Sequence, residues 1–156
     1  MHSFSIPLLT HKLRFQQGTK GPKLWDSLRK KWVAATPEEG VRQNLIEYCT
    51  DDLGYPRRRM AAEKALSLAG NTRFDLVVYN EDLKPWLLAE CKAPEVPLTT
   101  ATLEQLLRYH RVLQCRYWVL YNGLETVCID ASDPTHLREL PGLPAYEPVV
   151  GGGVGE

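Results

Sequence analysis

The sequence predicts an α/β protein in which a mixed central sheet is flanked by helices and preceded by an N-terminal β-hairpin or arm. Three observations predict this class: an amphipathic helix, then two neighbouring apolar strands (RFDLVVYN and PWLLAECK), then a second amphipathic helix. A chain of 156 residues has room for one domain with a single core. We therefore expect a hairpin or arm at residues 1–35, a core at 36–140 and a flexible tail at 141–156.

The first 35 residues contain the strand-like segments LRFQ and KLW, separated by the turn-rich segment QGTKGP, as is typical of a hairpin. A helix is predicted to begin at Thr36, because threonine can cap a helix, Pro37 suits its first position and Glu39 follows three residues after the cap. Apolar residues at helical spacing continue this helix until Gly54 interrupts the pattern.

Strand-like residues follow from Met60 to Ala69, with a tight turn predicted at Gly70-Asn71. The segments RFDLVVYN and PWLLAECK are apolar on both faces, which indicates central strands joined by the polar loop 81–84. Prolines at 94 and 97 separate them from an amphipathic helix over 100–114. YWVLYN and ETVCID are predicted to form two final, paired strands before the tail, which is rich in proline and glycine.

Nineteen basic residues balance nineteen acidic ones, so the sequence lacks the overall positive charge that marks many DNA-binding domains. Nucleic-acid contacts would have to come from local patches, although such patches are more often solvated surface: Arg29-Lys30-Lys31, Arg57-Arg58-Arg59, and Arg108 with Arg111. No apolar run approaches the ~20 residues of a membrane span, and no signal segment is evident, so we expect a cytoplasmic location. The four widely spaced cysteines are predicted to be reduced core residues.

The candidate site comes from the pairing of the two central strands. If the chain turns between Asp82 and Leu83, paired positions sum to 165, and Asp75 faces Glu90. Lys92 then projects on the same face as Glu90, which continues as an apolar wall made by Val77, Tyr79, Trp86 and Leu88. Two facing carboxylates on an apolar surface repel each other, and a divalent cation such as Mg²⁺ would compensate them. The alternatives are a buried salt bridge between Lys92 and one carboxylate, or a solvated pair at the end of the sheet.

The spacing of Asp75, Glu90 and Lys92 resembles the D…E-x-K signature of the PD-(D/E)XK nuclease superfamily. The surrounding sequence, over roughly residues 25 to 130, resembles the N-terminal nuclease domain of type I restriction enzyme R subunits, in the segments RKKWVAATPEEGVRQNLIEYCTDDLGYP, RFDLVVYN, LLAECKAPEVPL and LEQLLRYHRVLQCRYWVLYNGLE. The resemblance implies a restriction-endonuclease-like fold, metal binding by Asp75 and Glu90, and activation of water with the help of Lys92. It also implies a glutamate from the first helix, Glu38 or alternatively Glu39.

Gln105 and Tyr109 form a Q-x-x-x-Y pair that also resembles this family. Four residues apart, they would lie on one helical face and, with Arg108, contact substrate or support the site. The alternative is an ordinary polar stripe on a surface helix.

The expected function is Mg²⁺-dependent hydrolysis of DNA phosphodiesters, with Mn²⁺ as a substitute. The alternative is a catalytically silent nucleic-acid-binding or assembly module of the same fold. The expected partners are DNA, a second copy in a homodimer, and restriction or DNA-processing proteins. No G-x-x-x-x-G-K-[ST] motif occurs, so the resemblance is to the nuclease module without the translocase.

Overall fold

A computed structural model describes residues 1–66 and 72–147 of the chain. The N-terminal part forms a small antiparallel sheet of three strands, β1 (Phe15–Gly18), β2 (Gly21–Asp26) and β3 (Lys31–Ala34). The predicted hairpin is therefore confirmed and extended by a third strand. Leu24 and Asp26 on β2 are buried, so that face of the small sheet lies against the body of the protein.

Helix α1 (Pro37–Glu47) begins where the sequence predicts, because the Thr36 hydroxyl accepts a hydrogen bond from the Glu39 amide at 3.1 Å. The α-helix ends earlier than the apolar pattern suggests, since one turn of π-helix, Tyr48–Asp52, replaces its last turn. Gly54 then takes a left-handed φ of 70° and redirects the chain.

The main sheet has six strands in the order β4 (Met60–Leu66), β5 (Thr72–Tyr79), β6 (Pro85–Cys91), β7 (Tyr117–Tyr121), β8 (Thr126–Asp130) and β9 (Arg138–Leu140). Strands β6 and β7 pair in parallel and the other neighbours are antiparallel, so the predicted mixed sheet is confirmed. The turn predicted at Gly70-Asn71 lies outside the described residues.

The second predicted helix is divided into α2 (Thr100–Leu107) and α3 (His110–Leu113), and Gln114 ends it with a left-handed φ of 50°. Helix α2 contributes Leu103 and Leu106 to the apolar cluster on one face of the sheet, whereas α1 contributes Leu45 and Ile46 to the cluster on the other face. The sheet therefore lies between helices, as predicted.

One side chain of the predicted apolar wall lies on the other face. Trp86 packs in the cluster on the α1 side, whereas Val77 and Leu88 belong to the cluster on the α2 side. The prediction for Trp86 was wrong because the strand register shifts between Val78 and Tyr79, so that Tyr79 pairs with Pro85.

Several smaller features complete the fold. All four cysteines are buried and unpaired, as predicted. Residues 141–147 lie against the body, since the Tyr55 hydroxyl donates to the Pro144 carbonyl at 2.5 Å and the Tyr146 hydroxyl to the Tyr79 carbonyl at 2.8 Å. The rest of the predicted tail, residues 148–156, lies outside the described residues. Within the described residues, no helix is long and apolar enough to cross a membrane.

Candidate functional site

The candidate site lies at the end of strands β5 and β6 that is remote from their connecting turn. Leu76 pairs with Ala89, so the next residues outward on the two strands are Asp75 and Glu90. The Cys91 amide donates a hydrogen bond of 2.7 Å to Asp75 Oδ2, which fixes one oxygen of that carboxylate to the neighbouring strand. The pairing therefore brings Asp75 and Glu90 together, as the counting of positions from the turn anticipates.

Lys92 follows directly after β6 and is anchored by its backbone. Its amide donates to the Tyr121 carbonyl at 2.8 Å, which continues the contact of this chain segment with β7. Its ammonium nitrogen, Nζ, lies 3.5 Å from Glu90 Oε2, and the two side chains are 32% and 31% exposed. Lys92 is therefore beside Glu90 and within reach of solvent.

The environment of Glu90 raises the pKa of its carboxyl group to about 7. Burial is the largest cause, and the Asp75 carboxylate adds to it by repulsion and by hydrogen bonding to the protonated form; Lys92 acts in the opposite direction. Because burial and the Asp75 carboxylate together outweigh Lys92, the pKa of Glu90 lies close to neutral pH.

Asp75 is held on its other side by Arg42 of α1, whose side chain is only 5% exposed. The Arg42 guanidinium donates to Asp75 Oδ1 and contacts Glu39 Oε1 and Glu63 Oε1, each at 2.5 Å. Burial alone would lower the pKa of Arg42, but the hydrogen bond to Asp75 and the charges of the carboxylates raise it above its usual value. Arg42 is therefore a permanent internal cation among several acidic side chains.

The two glutamates at the start of α1 have different environments. Glu39 is buried, and its carboxylate accepts hydrogen bonds from Arg29 at 3.1 Å, from Arg42 at 2.5 Å and from Gln43 at 2.9 Å. The sequence suggested that Glu39 serves as part of the helix cap. In the structure only its backbone amide takes part in the cap, and its carboxylate binds other side chains. The side chain of Glu38 is 51% exposed and forms a long ion pair with Arg42, at 3.9 Å.

A narrow cleft of about 70 Å³ opens beside Glu90 and Lys92. Gln105 and Tyr109 line it from the side of α2, and the Tyr109 ring packs edge-to-face on Phe74 with 5.5 Å between ring centres. Pockets that enclose organic ligands usually measure roughly 300–1,000 Å³, so this cleft has room for waters or one phosphate-sized group. Arg108 is exposed and does not line the cleft.

Sequence reasoning missed Arg42 and Glu63. Arg42 belongs to a buried run, residues 41–46, that includes Gln43 and Asn44, and a helix with polar side chains on its inward face was the available signal. Glu63 lies opposite Asp75 on β4, where its neighbours Ala62 and Lys64 are paired and it adopts a left-handed φ of 54°. A non-glycine residue in that conformation is strained and is often found at functional sites. No feature of the sequence indicated this conformation for Glu63.

The acidic side chains of the site meet the needs of a divalent cation only in part. Among the described residues, no group of three or more His, Cys, Asp or Glu side chains is arranged to hold a metal ion. Mg²⁺, however, usually keeps several waters and binds proteins through one or two carboxylates. Asp75 with the partly exposed Glu90 fits that requirement. Glu38, in the first turn of α1, offers a further, exposed carboxylate.

Comparison with known proteins assigns the chain to a family. No curated protein matches the sequence. Residues 37–144, which include Asp75, Glu90, Lys92 and the whole six-stranded sheet, match the family described as type I restriction enzyme R protein N terminus (HSDR_N). This match extends over more than half of the chain and agrees with the resemblance seen in the sequence. The chain therefore belongs to the family of type I restriction enzyme R protein N-terminal domains.

Proposed function

We propose that this protein hydrolyses phosphodiester bonds of DNA with the help of a divalent cation. The observation that carries the proposal is that Glu90 lies beside both Asp75 and Lys92, and that Glu90 and Lys92 line a cleft of phosphate size. The family assignment supports a nuclease-like role for the domain. The small cleft argues against an enclosed organic substrate, because a scissile phosphate needs only a narrow opening whereas a base or sugar needs more room.

Each side chain has a role that its surroundings support. Asp75 and Glu90 would hold Mg²⁺, or Mn²⁺ in its place, with Glu38 as a third carboxylate; Glu39 suits that role less well because its oxygens are occupied by Arg29, Arg42 and Gln43. When bound, Mg²⁺ supplies Lewis acidity, which activates water and offsets charge on the phosphate. Lys92 would place a positive charge beside the phosphate and stabilise the negative charge that develops during displacement.

Gln105 and Tyr109 would contribute from the opposite wall of the cleft. Gln105 can donate its amide protons to a phosphate oxygen, and Tyr109 can do so with its hydroxyl while its ring stays packed on Phe74. Arg108 is exposed and does not line the cleft, so we assign it to contacts with the DNA backbone outside the site.

Nicking of supercoiled plasmid tests the proposal. Wild-type protein should nick DNA with Mg²⁺ or Mn²⁺ and not with EDTA, and Asp75→Asn and Lys92→Met should each lower the rate at least 100-fold. Lys84→Met is the matched control, because Lys84 is an exposed lysine in the turn at the other end of the same two strands. Nicking that survives Asp75→Asn and Lys92→Met would reject the proposed site.

A catalytically silent binding or assembly module is the second candidate, and Arg42 is the observation that favours it. The Arg42 guanidinium already neutralises Asp75, so that carboxylate does not require a metal ion for charge balance. Calorimetric titration with Mn²⁺ separates the two candidates. Binding that Glu90→Gln weakens supports the nuclease, whereas salt-sensitive DNA binding without metal binding or cleavage supports the silent module.

A single site of this kind cuts one strand. Double-strand cleavage would therefore require two copies or two encounters, and we propose a homodimer only for that reaction. A cleavage rate that rises with the square of protein concentration would support it, and a first-order rate would argue against it.

A further inference from the structure

The charge of this protein is unevenly distributed along the chain. Residues 10–34 contain seven of the nineteen basic residues and only one of the nineteen acidic residues, which leaves twelve basic against eighteen acidic residues elsewhere. These residues include the three-stranded sheet β1–β3 and its turns. The neutral total therefore combines a basic N-terminal sheet with an acidic body.

Most of these positive charges have no acidic partner. Arg29 is paired with the buried Asp26, and Lys12 with Asp51 at 3.1 Å. The other five form no ion pair with the residues that the structure describes: Arg14, Lys20, Lys23, Lys30 and Lys31. We call β1–β3 with these five residues the basic sheet.

The arginine run at 57–59 shows the opposite behaviour, although it looks equally basic in the sequence. Arg57 pairs with Glu47 at 3.2 Å, and Arg58 and Arg59 pair with Glu81 at 2.6 and 2.5 Å. Its charges are therefore compensated within the protein. Of these two patches, the basic sheet is the one that keeps a local excess of positive charge within the described residues.

One face of the basic sheet is turned away from the body of the protein. Trp25 and Trp32 are paired across β2 and β3, with 5.3 Å between their ring centres, and the Arg14 guanidinium lies 5.2 Å from the Trp25 ring. Lys23 lies two residues before Trp25 on the same face of β2, while Lys20 and Lys30 lie in the turns at either end. Lys31 pairs with Asp26 and projects to the opposite face, at the exposed edge strand β3. Six residues of β2 span about 20 Å, the length of about six base pairs of DNA.

The basic sheet is connected to the candidate site by direct contacts. Arg29, in the turn between β2 and β3, donates to Glu39 Oε1 at 3.1 Å, and the same oxygen accepts from Arg42, which holds Asp75. The basic sheet therefore adjoins the site on the side where Arg42 holds Asp75, and the acidic remainder of the surface would repel a polyanion elsewhere.

We propose that the basic sheet is the surface on which the phosphate backbone of duplex DNA docks beside the site. The inference rests on the proposed function for its biological role, but the binding that it names does not require cleavage. Recognition would be independent of base sequence, because lysine contacts to phosphate carry no sequence information and the two tryptophans are occupied with each other and with Arg14.

Fluorescence anisotropy with a labelled duplex of about 20 base pairs tests this proposal in EDTA, where the proposed cleavage does not proceed. Two double variants remove charge from the outward face of the basic sheet, Lys20→Gln with Lys23→Gln and Arg14→Gln with Lys30→Gln. The matched control is Lys64→Gln with Lys84→Gln, which removes two exposed positive charges from the body. Thermal unfolding followed by circular dichroism verifies that all variants remain folded.

Each phosphate contact contributes about 0.9 to the slope of log K against log salt, so each sheet variant should lower the slope by about 2 and weaken binding about 10-fold to 100-fold at 0.1 M salt. The control should change binding less than threefold. Equal losses in the control and the sheet variants, or sheet variants that bind like wild type, would overturn the proposal. Binding of the wild type to vesicles with phosphatidylserine as tight as binding to DNA would overturn it as well.

The outcome is independent of the nuclease proposal. If Asp75→Asn binds DNA like wild type and the sheet variants do not, the docking surface stands even when no condition gives nicking. If wild type nicks DNA and the sheet variants bind and nick equally well, the nuclease stands and the docking surface is rejected.

Discussion

Replacement of Glu90 by glutamine should change how stability depends on pH. In the folded protein, burial and the neighbouring Asp75 raise the pKa of Glu90 from 4.5 to about 7. Between these values the folded state holds a proton that the unfolded state has lost, so this group contributes stability that is present below pH 4.5 and disappears as pH rises through 7. Glutamine is uncharged throughout and removes this dependence.

The size of the effect follows from the two pKa values. At about 1.4 kcal/mol for each factor of ten in the ionisation constant, the change from 4.5 to about 7 corresponds to roughly 3 kcal/mol. The Glu90 side chain is 31% exposed, so solvent screening reduces this to about 1–2 kcal/mol. Glu90→Gln should therefore gain that much stability relative to wild type between pH 5 and pH 9.

Urea unfolding in EDTA at several pH values measures this difference. Glu95→Gln, in the exposed loop after β6, is the control and should follow the wild type. Added Mg²⁺ should stabilise the wild type above pH 7 and leave Glu90→Gln little changed, because the cation binds the charged carboxylate. A constant free-energy difference between wild type and Glu90→Gln from pH 5 to pH 9 would refute the reasoning.

Three further substitutions test the surroundings of the site. Arg42→Met should lower the free energy of unfolding by about 3–5 kcal/mol in urea at pH 7, because it leaves buried carboxylates without their cation; a loss below about 1 kcal/mol would contradict this role. Thr36→Ala should lose about 1 kcal/mol in the same assay through the N-cap of α1, and an unchanged value would show that the cap is dispensable. Gln105→Ala should change stability by no more than about 0.5 kcal/mol, since the residue is exposed, but should slow plasmid nicking; unchanged nicking would remove Gln105 from the site.

The central hairpin was predictable because its two strands are apolar on both faces and are joined by a short loop. Counting from the turn gave the observed pairing of Leu76 with Ala89 and of Val78 with Leu87. The shift between Val78 and Tyr79 was not predictable, since a bulge depends on local backbone geometry rather than on the apolar pattern. It affected Trp86, near the turn, and left the far end of the hairpin in register.

The helices were predictable in position and less so in extent. Thr36 and Pro37 are strong local signals, so the start of α1 was correct. Its π-helical last turn and the interruption between α2 and α3 keep the same apolar residues turned inward, so the hydrophobic pattern does not distinguish them from continuous helices.

The ion-pair network was beyond single-sequence reasoning. Arg42 and Asp75 are 33 positions apart, and Glu63 meets them only because β4 pairs with β5. A single sequence indicates the role of a residue within its own segment, and for Glu39 it indicated a helix cap. Its buried carboxylate instead joins Arg29 of the small sheet to Arg42 of α1.

The carboxylates of Asp75 and Glu90 therefore have different partners in the protein. Arg42 and the Cys91 amide hold both oxygens of Asp75, so its position is fixed and its charge is compensated. Among the described residues Glu90 has one ion pair, with Lys92 at 3.5 Å, and burial together with the Asp75 carboxylate raises its pKa to about 7. A cation arriving at this site would consequently gain most from Glu90, with Asp75 serving as the rigid ligand. Affinity for Mg²⁺ should then rise with pH near 7 in the wild type, and Arg42→Met should increase that affinity even as it weakens the fold, because it returns an uncompensated charge to Asp75.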